Sequence, residues 1–447
     1  MSRTAGVGCG TNASVTDPFP IRPVGQDEFP AFYAVGEHAF NSSHPTQPAL
    51  EHELLTFEAR RSLAAFDGAV IAGTAAAYTF QLAVPGALAA AAGVTAVSVL
   101  PTYRRRGILS SLMRRQLADI RAKGEAVAAL FASESGIYGR YGYGCASEHL
   151  RFVIRRGEGK LQPLDAAASR GAGSATTASA PPGASGQVRI RAVEPEQARP
   201  ELAKVYDAVF PLRPGMPARD DRWWTSALAD PEFTRRDRTP LRGLVAEDDS
   251  GPLGYALYSV QSDWDEYAMP DGILGIRELM SADPAATSAL WADLLTRDLI
   301  GEVRARLRPV DDPLLQLLAD RRRARAYLTD GLWVRLTDVP AALAQRRYAR
   351  EVDVVIDVTD ELIPANSGRW RLQAGGTGDP APPRCERASG PAAVALGVRA
   401  LSAAYLGGTR LGALAAAGQV AELRPGALGT LSAAMSWDPA PWCPVIF

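Results

Sequence analysis

Lysine is nearly missing from this 447-residue chain: Lys123, Lys160 and Lys204 are the only ones among 48 basic residues. Acidic residues number 49, so the formal net charge is −1 and neither sign is in excess. Nucleic acid and anionic membrane surfaces both select a concentrated basic excess, so neither is the expected partner. Cysteine and histidine are scarce too, four of each. Cys9, Cys145, Cys385 and Cys443 stand far apart, with no C-x-x-C pair and no clustered His, which argues against a disulfide framework and a structural zinc site. No metal is expected, and a reducing cytoplasm fits this cysteine usage. Met1 to Asp17 is small and polar with no apolar run, so no secretory signal is expected. From Gly68 to Tyr103 there is no charged residue. Gly73, Pro85, Gly86 and Gly93 divide that stretch, which predicts buried strands with a turn at Val84-Pro85-Gly86 and no membrane span.

At about 150 residues per domain, the length accommodates roughly three units, each large enough for its own core. Ile21-Arg22-Pro23-Val24 precedes a helix-like run ending at Ala39-Phe40, and Ile190-Arg191-Ala192-Val193 precedes a similar run ending at Val209-Phe210. This spacing predicts one α/β unit used twice. Between the copies, residues 166–186 are almost wholly Ala, Ser, Gly, Thr and Pro and read as a flexible linker. The first unit therefore covers 1–165 and the second 187–340. Asp330 to Leu336 alternates like a strand, and the second boundary is expected near 340. Downstream, residues 353–358 and 368–372 read as strands and 403–408 and 410–417 as short helices, which makes 341–447 a small α+β domain.

The chemistry concentrates where Val97-Ser98-Val99-Leu100-Pro101 runs through Thr102-Tyr103-Arg104-Arg105-Arg106-Gly107 into a helix with Leu109, Leu112, Met113, Leu117 and Ile120 on its apolar side. A basic triplet alone is readily a solvated turn. Strand, basic turn and helix start together form the layout of an anion site, because first-turn N–H groups and the dipole point at the ligand and a Gly allows close approach. G-x-G-x-x-G is absent from this turn, so a dinucleotide fold is disfavoured. The second copy has the equivalent strand, Gly275 to Met280, but leads through Ser281-Ala282-Asp283-Pro284 into its helix. Ser and Asp caps would repel a phosphate, so only the first unit is expected to bind it. Further on, Ser133-Glu134-Ser135-Gly136-Ile137-Tyr138-Gly139-Arg140-Tyr141-Gly142-Tyr143-Gly144 sets three phenols among glycines, and spacing does not choose the proton donor among them. The end, Trp437 to Phe447, is apolar and proline-rich, which suggests a buried tail carrying the Phe447 carboxylate, although the segment taken alone is better accounted for by packing of Ile446 and Phe447 on a domain face.

These segments resemble the GNAT superfamily of acyl-CoA N-acyltransferases, with Leu109 where the R-x-x-G-x-G/A turn ends in Gly or Ala. V-S-V-L-P-T-Y-R-R-R-G-I-L, S-E-S-G-I-Y-G-R-Y-G-Y-G, D-G-L-W-V-R-L and the terminal Phe together resemble the enhanced intracellular survival (Eis) family of mycobacterial acetyltransferases across nearly the whole chain. The resemblance implies tandem GNAT-type folds followed by a sterol-carrier-protein-like α+β domain, assembled as a homo-hexamer. It implies acetyl-CoA as co-substrate, its pantetheine arm paired with the backbone of Val97, Ser98 and Val99. It assigns the pyrophosphate to Arg105, Arg106, Gly107, Ile108, Leu109 and Ser110, and the thioester end to Ser133 and Glu134. Tyr138 would be the general acid and the Phe447 carboxylate the general base acting on a small-molecule primary amine. Aminoglycoside-acetylating relatives have Glu where this chain has Ile446, Asp at Ser42 and Phe at Ala96. Fewer carboxylates weaken attraction for a polycation. Rival expectations are a degenerate acyl-CoA or lipid-binding protein and a transferase for protein lysine or longer acyl chains.

Overall fold

The uncharged stretch folds as two long strands, Val70–Val84 and Ala87–Val99, turning at Pro85-Gly86 as the Gly and Pro punctuation requires. The computed structural model describes residues 18–42, 46–164 and 188–447, so the expected linker at 166–186 and the polar Met1–Asp17 segment, but for Asp17's neighbours from Pro18 on, lie outside the described residues. The chain divides into two units, one made of Met1–Pro45, Glu58–Ala76 and Ala96–Gln116, the other of Thr46–Phe57, Ala77–Thr95 and Leu117–Phe447.

In the first unit the strand Ser62–Asp67 lies antiparallel to Ile21–Arg22, with Ile21 opposite Ala65, and to the start of Val70–Val84, with Ser62 opposite Ala76. The helix Phe29–Phe40 buries Phe29, Phe32 and Val35, three residues apart, and ends at Asn41 in the left-handed region. Small residues on the strands, Ala65, Ala72 and Ala75, let Ile108 and Leu112 of the helix Ile108–Ala122 pack closely with Leu63. The buried face of that helix is Ile108, Leu112, Met113, Gln116, Leu117 and Ile120. Leu109, expected on the apolar side, is only half-buried, and Ile108 opens the face in its place.

In the second unit, Val127–Phe131 pairs in parallel with Ala91 to Gly93, and antiparallel with Leu332–Leu336, which also pairs with Gly144–Cys145. A seven-stranded sheet runs Tyr327–Asp330, Glu148–Arg155, Ile300–Pro309, Gly272–Ser281, Gly251–Gln261, Arg242–Asp248, Arg189–Val193. Thus a strand late in the sequence completes the Val127–Phe131 sheet, while Glu148–Arg155, from early in the sequence, joins the other. The two chain segments cross at Ser147 and Gly331: the Gly331 N–H donates to the Ser147 carbonyl at 2.9 Å, and the Leu332 N–H to Ser147 Oγ at 2.9 Å.

The alternating Asp330–Leu336 segment therefore splits at Gly331. Leu332–Leu336 is buried at every position, Arg335 included. Its guanidinium forms 2.8 and 2.7 Å hydrogen bonds with Asp360, which removes the penalty that enforces alternation elsewhere. The last sheet runs Arg384–Arg387, Gly368–Ala374, Val352–Thr359, Val394–Gly397, Val420–Glu422. The helix expected at 403–408 lies earlier, at Val398–Ala404, because Gly407 takes φ 91 and ends the run; Leu411–Ala416 follows as a short helix. One apolar core joins Val127, Ala129, Leu332 and Val334 to Val354, Ile356, Leu372, Leu401 and Leu431. Among the described residues, no helix is long and apolar enough to cross a membrane.

Candidate active site

The basic turn is held in a conformation that ordinary side chains avoid. Arg105 takes φ 64 and Gly107 φ 85, both left-handed. For Gly107 this is free of steric cost, whereas Arg105 carries about 1–2 kcal/mol of strain. Left-handed residues interleaved with ordinary ones turn successive N–H groups to one side and form an anion-binding concavity. Ile108–Ala122 begins directly after it, adding its first-turn amides and the positive end of its dipole. The Arg106 guanidinium stands 5.0 Å from the centroid of the Tyr103 ring. Tyr103 is anchored in turn by its hydroxyl, which donates to Asp67 at 2.9 Å and whose pKa that bond raises. Arg104, Arg105, Arg106 and Gly107 are exposed, while Leu109 and Ser110 are half-buried. On the strand before the turn, Val97 and Val99 pack against the first unit's core and Ser98 is buried, its hydroxyl without a hydrogen-bond partner among the described residues. Ala96 takes φ 50 and is exposed, as are Phe40 and Ser42.

The corresponding helix of the repeat, Pro284–Leu295, starts differently. Asp283 Oδ1 accepts from the Ala286 N–H at 2.7 Å, so a carboxylate already occupies the place an anion would take.

In the second unit, Val127–Phe131 leads into the short helix Ser135–Tyr138. Ser133 and Glu134 are exposed at its start. All three phenols of the Tyr and Gly segment are buried, and their settings differ. Tyr143 is fully enclosed, its hydroxyl lacks a hydrogen-bond partner among the described residues, and burial drives its pKa far up. Tyr138 is 5% exposed and meets Tyr143 edge-on at 6.0 Å. Burial, then the Glu134 carboxylate and Tyr141, push its pKa up to about 12, so it keeps its proton well above neutral pH. Arg140 stands 5.6 Å from the Tyr141 ring centroid.

Phe447 is half-buried among aromatic rings: edge-on to Phe80 at 4.9 Å, Phe131 at 5.7 Å and Tyr78 at 6.4 Å. Trp223, from the helix Asp221–Leu228, lies 5.0 Å from Tyr78 and 5.2 Å from Phe80. Ile446, expected to pack with its neighbour, is instead 62% exposed.

Acetyltransferase (GNAT) domain families match residues 20–146 and 215–336, and a sterol carrier protein domain matches 339–444. An uncharacterized N-acetyltransferase of Streptomyces avermitilis is 42% identical over 425 residues, 95% of this chain and 98% of its own. The N-acetyltransferase Eis of Mycobacterium bovis is 32% identical over 379 residues, covering 83% of this chain and 84% of its own. The crystal structure of Eis1 from Mycobacterium abscessus superposes with a TM-score of 0.76 at 30% identity, over 96% of this chain and 100% of that one. The chain belongs to the Eis family of GNAT N-acetyltransferases. As an Eis-family member it has two GNAT domains followed by a sterol-carrier-like domain, and it is an acyltransferase using acyl-CoA.

Reading the sequence overlooked Tyr78, Phe80 and Trp223. In an Eis-family chain the signal was available: Tyr78 and Phe80 stand two apart in a strand otherwise rich in Ala, hence on one face, and Trp223 follows the helix cap Asp220, which accepts from its N–H at 2.9 Å.

Proposed function

We propose that the chain transfers acetyl from acetyl-CoA to a primary amine, with Tyr138 as general acid and the Phe447 α-carboxylate as general base. The observation that carries this reading is the turn at Arg105 to Gly107, left-handed at both ends and set at a helix start, whereas the equivalent helix of the repeat is closed by Asp283. Arg105, Arg106, Gly107, Ile108, Leu109 and Ser110 hold the pyrophosphate, Val97 to Val99 pair with the pantetheine arm, and Ser133 and Glu134 line the thioester end.

In the reaction the neutral amine attacks the thioester carbonyl and forms the C–N bond. The Phe447 carboxylate, directly or through water, takes the proton the nitrogen loses. The tetrahedral oxyanion is stabilised by a strand N–H near Val99 and collapses with cleavage of the C–S bond as Tyr138 gives its proton to sulfur. A phenol raised to about 12 is fully protonated at neutral pH, as that role requires. The rings of Tyr78, Phe80, Phe131 and Trp223 beside Phe447 favour an ammonium carried on an apolar body, which aromatic faces attract. Aminoglycosides are a second acceptor class on family grounds. Exposed Ile446 and Ser42 bring no carboxylate to them. The family resemblance also supports a cytoplasmic homo-hexamer.

The test is incubation of the full chain and acetyl-CoA with arylalkylamines, polyamines, lysine peptides and aminoglycosides, followed by mass spectrometry. One acetylated amine class, formed with one free thiol per acetyl group, is the expected result. Bound acetyl-CoA with no acetylated amine in any class contradicts the reading and favours an acyl-CoA-binding protein or a different acyl donor.

A further inference from the structure

Residues 437–447 contain neither helix nor strand, yet Pro441, Trp442, Cys443 and Pro444 are buried. Irregular chain ends fray unless something ties them down. Here the ties come from the second GNAT-type body. The Ala440 backbone is gripped on both sides: its N–H donates to Asp311 Oδ2 at 3.0 Å, and its carbonyl accepts from Arg213 Nη1 at 2.8 Å. Arg213 Nη1 also donates to Asp311 Oδ1 at 2.7 Å, so the ion pair closes a ring around the backbone of this one residue. Two residues on, the Trp442 N–H donates to the Pro214 carbonyl at 2.8 Å, and its indole Nε1–H to the Leu307 carbonyl at 2.6 Å. Leu307 takes φ 51, where the pairing of Ile300–Pro309 with Glu148–Arg155 shifts register between Ala305 and Arg308. A non-glycine residue in that region is costly, and such strain persists where surrounding contacts fix it. Gly215 takes φ 96, and a Cβ there would lie 2.9 Å from the Trp442 carbonyl oxygen, so the close approach requires glycine.

The segment that grips the tail also grips the strand bearing Tyr78 and Phe80. The Gly215 N–H donates to the Ala83 carbonyl, the Ala83 N–H to the Met216 carbonyl, and the Ala218 N–H to the Gln81 carbonyl, each at 2.8 Å. One loop thus fixes the register of the tail against the wall its last ring meets.

We infer that the second GNAT-type body acts as the holder of the C-terminal tail, with Arg213 and Asp311 as positioning residues that clamp Ala440 and thereby fix Phe447. The inference rests on the proposed role of the Phe447 carboxylate. It explains what a GNAT-type body with its anion site closed by Asp283 contributes to the reaction. Releasing Ala440 lets the tail move, so the carboxylate no longer meets the amine in one geometry, while acyl-CoA binding is untouched.

The experiment measures steady-state thiol release from acetyl-CoA with a primary amine acceptor at pH 7 and pH 9.5, for wild type, Arg213→Ala, Arg213→Lys, Asp311→Asn and a chain extended by Gly-Ser after Phe447. Arg213→Ala is expected to lower kcat about tenfold or more at pH 7 with unchanged acetyl-CoA affinity by calorimetry. The loss shrinks at pH 9.5, where solvent hydroxide also takes the proton that the attacking nitrogen loses and a positioned base matters less. Arg213→Lys, which retains a donor, recovers part of the rate. Such pH dependence separates positioning from general destabilisation, which lowers the rate equally at both pH values. An inactive extended chain together with wild-type kcat in Arg213→Ala and Asp311→Asn overturns the clamp and leaves the base in place. Full activity of the extended chain overturns the carboxylate reading and the clamp with it.

Discussion

At the residue scale, several side chains are held where unconstrained ones would not stay. Arg105 takes φ 64 while remaining exposed. Arg105→Gly removes the steric cost and is expected to stabilise the fold by about 1 kcal/mol. If its charge holds pyrophosphate, the same variant binds acetyl-CoA more weakly; thermal melting and calorimetry together read the two effects, and unchanged affinity removes Arg105 from the anion site. Tyr138, raised to about 12 by burial first and the Glu134 carboxylate second, loses its proton only as pH rises toward that value. The alkaline fall in kcat is therefore expected above pH 10, the usual phenol range, and a fall centred near pH 8 points to another acid. The turn at Arg105 to Gly107 was legible in the sequence, because Gly and Arg announce turns by type. Spacing does not choose among Tyr138, Tyr141 and Tyr143, all three of which are buried, and the family resemblance alone singles out Tyr138.

At the element scale, periodicity revealed strands and helices but not their partners. Residues 68–103 folded as two strands about Pro85-Gly86, as their punctuation predicts. Asp330–Leu336 alternates like a strand, and Leu332–Leu336 is one, but it is buried on both faces, Arg335 included. Its pairing with Asp360 hides it, and nothing near position 335 in the sequence names a partner 25 residues away. The exchange of Glu148–Arg155 and Leu332–Leu336 between sheets is invisible for the same reason: alternation specifies a face, not a neighbour. The Asp cap of Pro284–Leu295, by contrast, was plain from Ser281-Ala282-Asp283-Pro284. Asp283→Ala is expected to cost about 1 kcal/mol in urea denaturation and leave acetyl-CoA affinity unchanged. A loss of that affinity contradicts the assignment of the cofactor to the first GNAT domain alone.

At the scale of the molecule, the sterol-carrier-like domain is tied to the strand Leu332–Leu336 by buried charge as well as by apolar packing. Arg335 and Asp360 are wholly enclosed, and Asp360 also accepts from Asn366 Nδ2 at 2.9 Å and from the N–H groups of Leu362 and Ile363. Asp360→Ala strands a guanidinium and is expected to destabilise the fold by about 3–5 kcal/mol, read as a lower urea midpoint. A change under about 1 kcal/mol shows that water reaches Arg335. The chain's three-domain order followed from motifs spread along the sequence, whereas the second body's grip on the tail depends on Arg213 and Asp311, nearly a hundred residues apart. Acid-base transfer of an acyl group to an amine is tested by thiol release from saturating acetyl-CoA by wild type and Tyr138→Phe, with and without a primary amine. Release is expected only when amine is present, with a rate about 10²-fold lower in the variant at unchanged acetyl-CoA affinity. Equal rates in the two proteins, or release that ignores the amine, would contradict it.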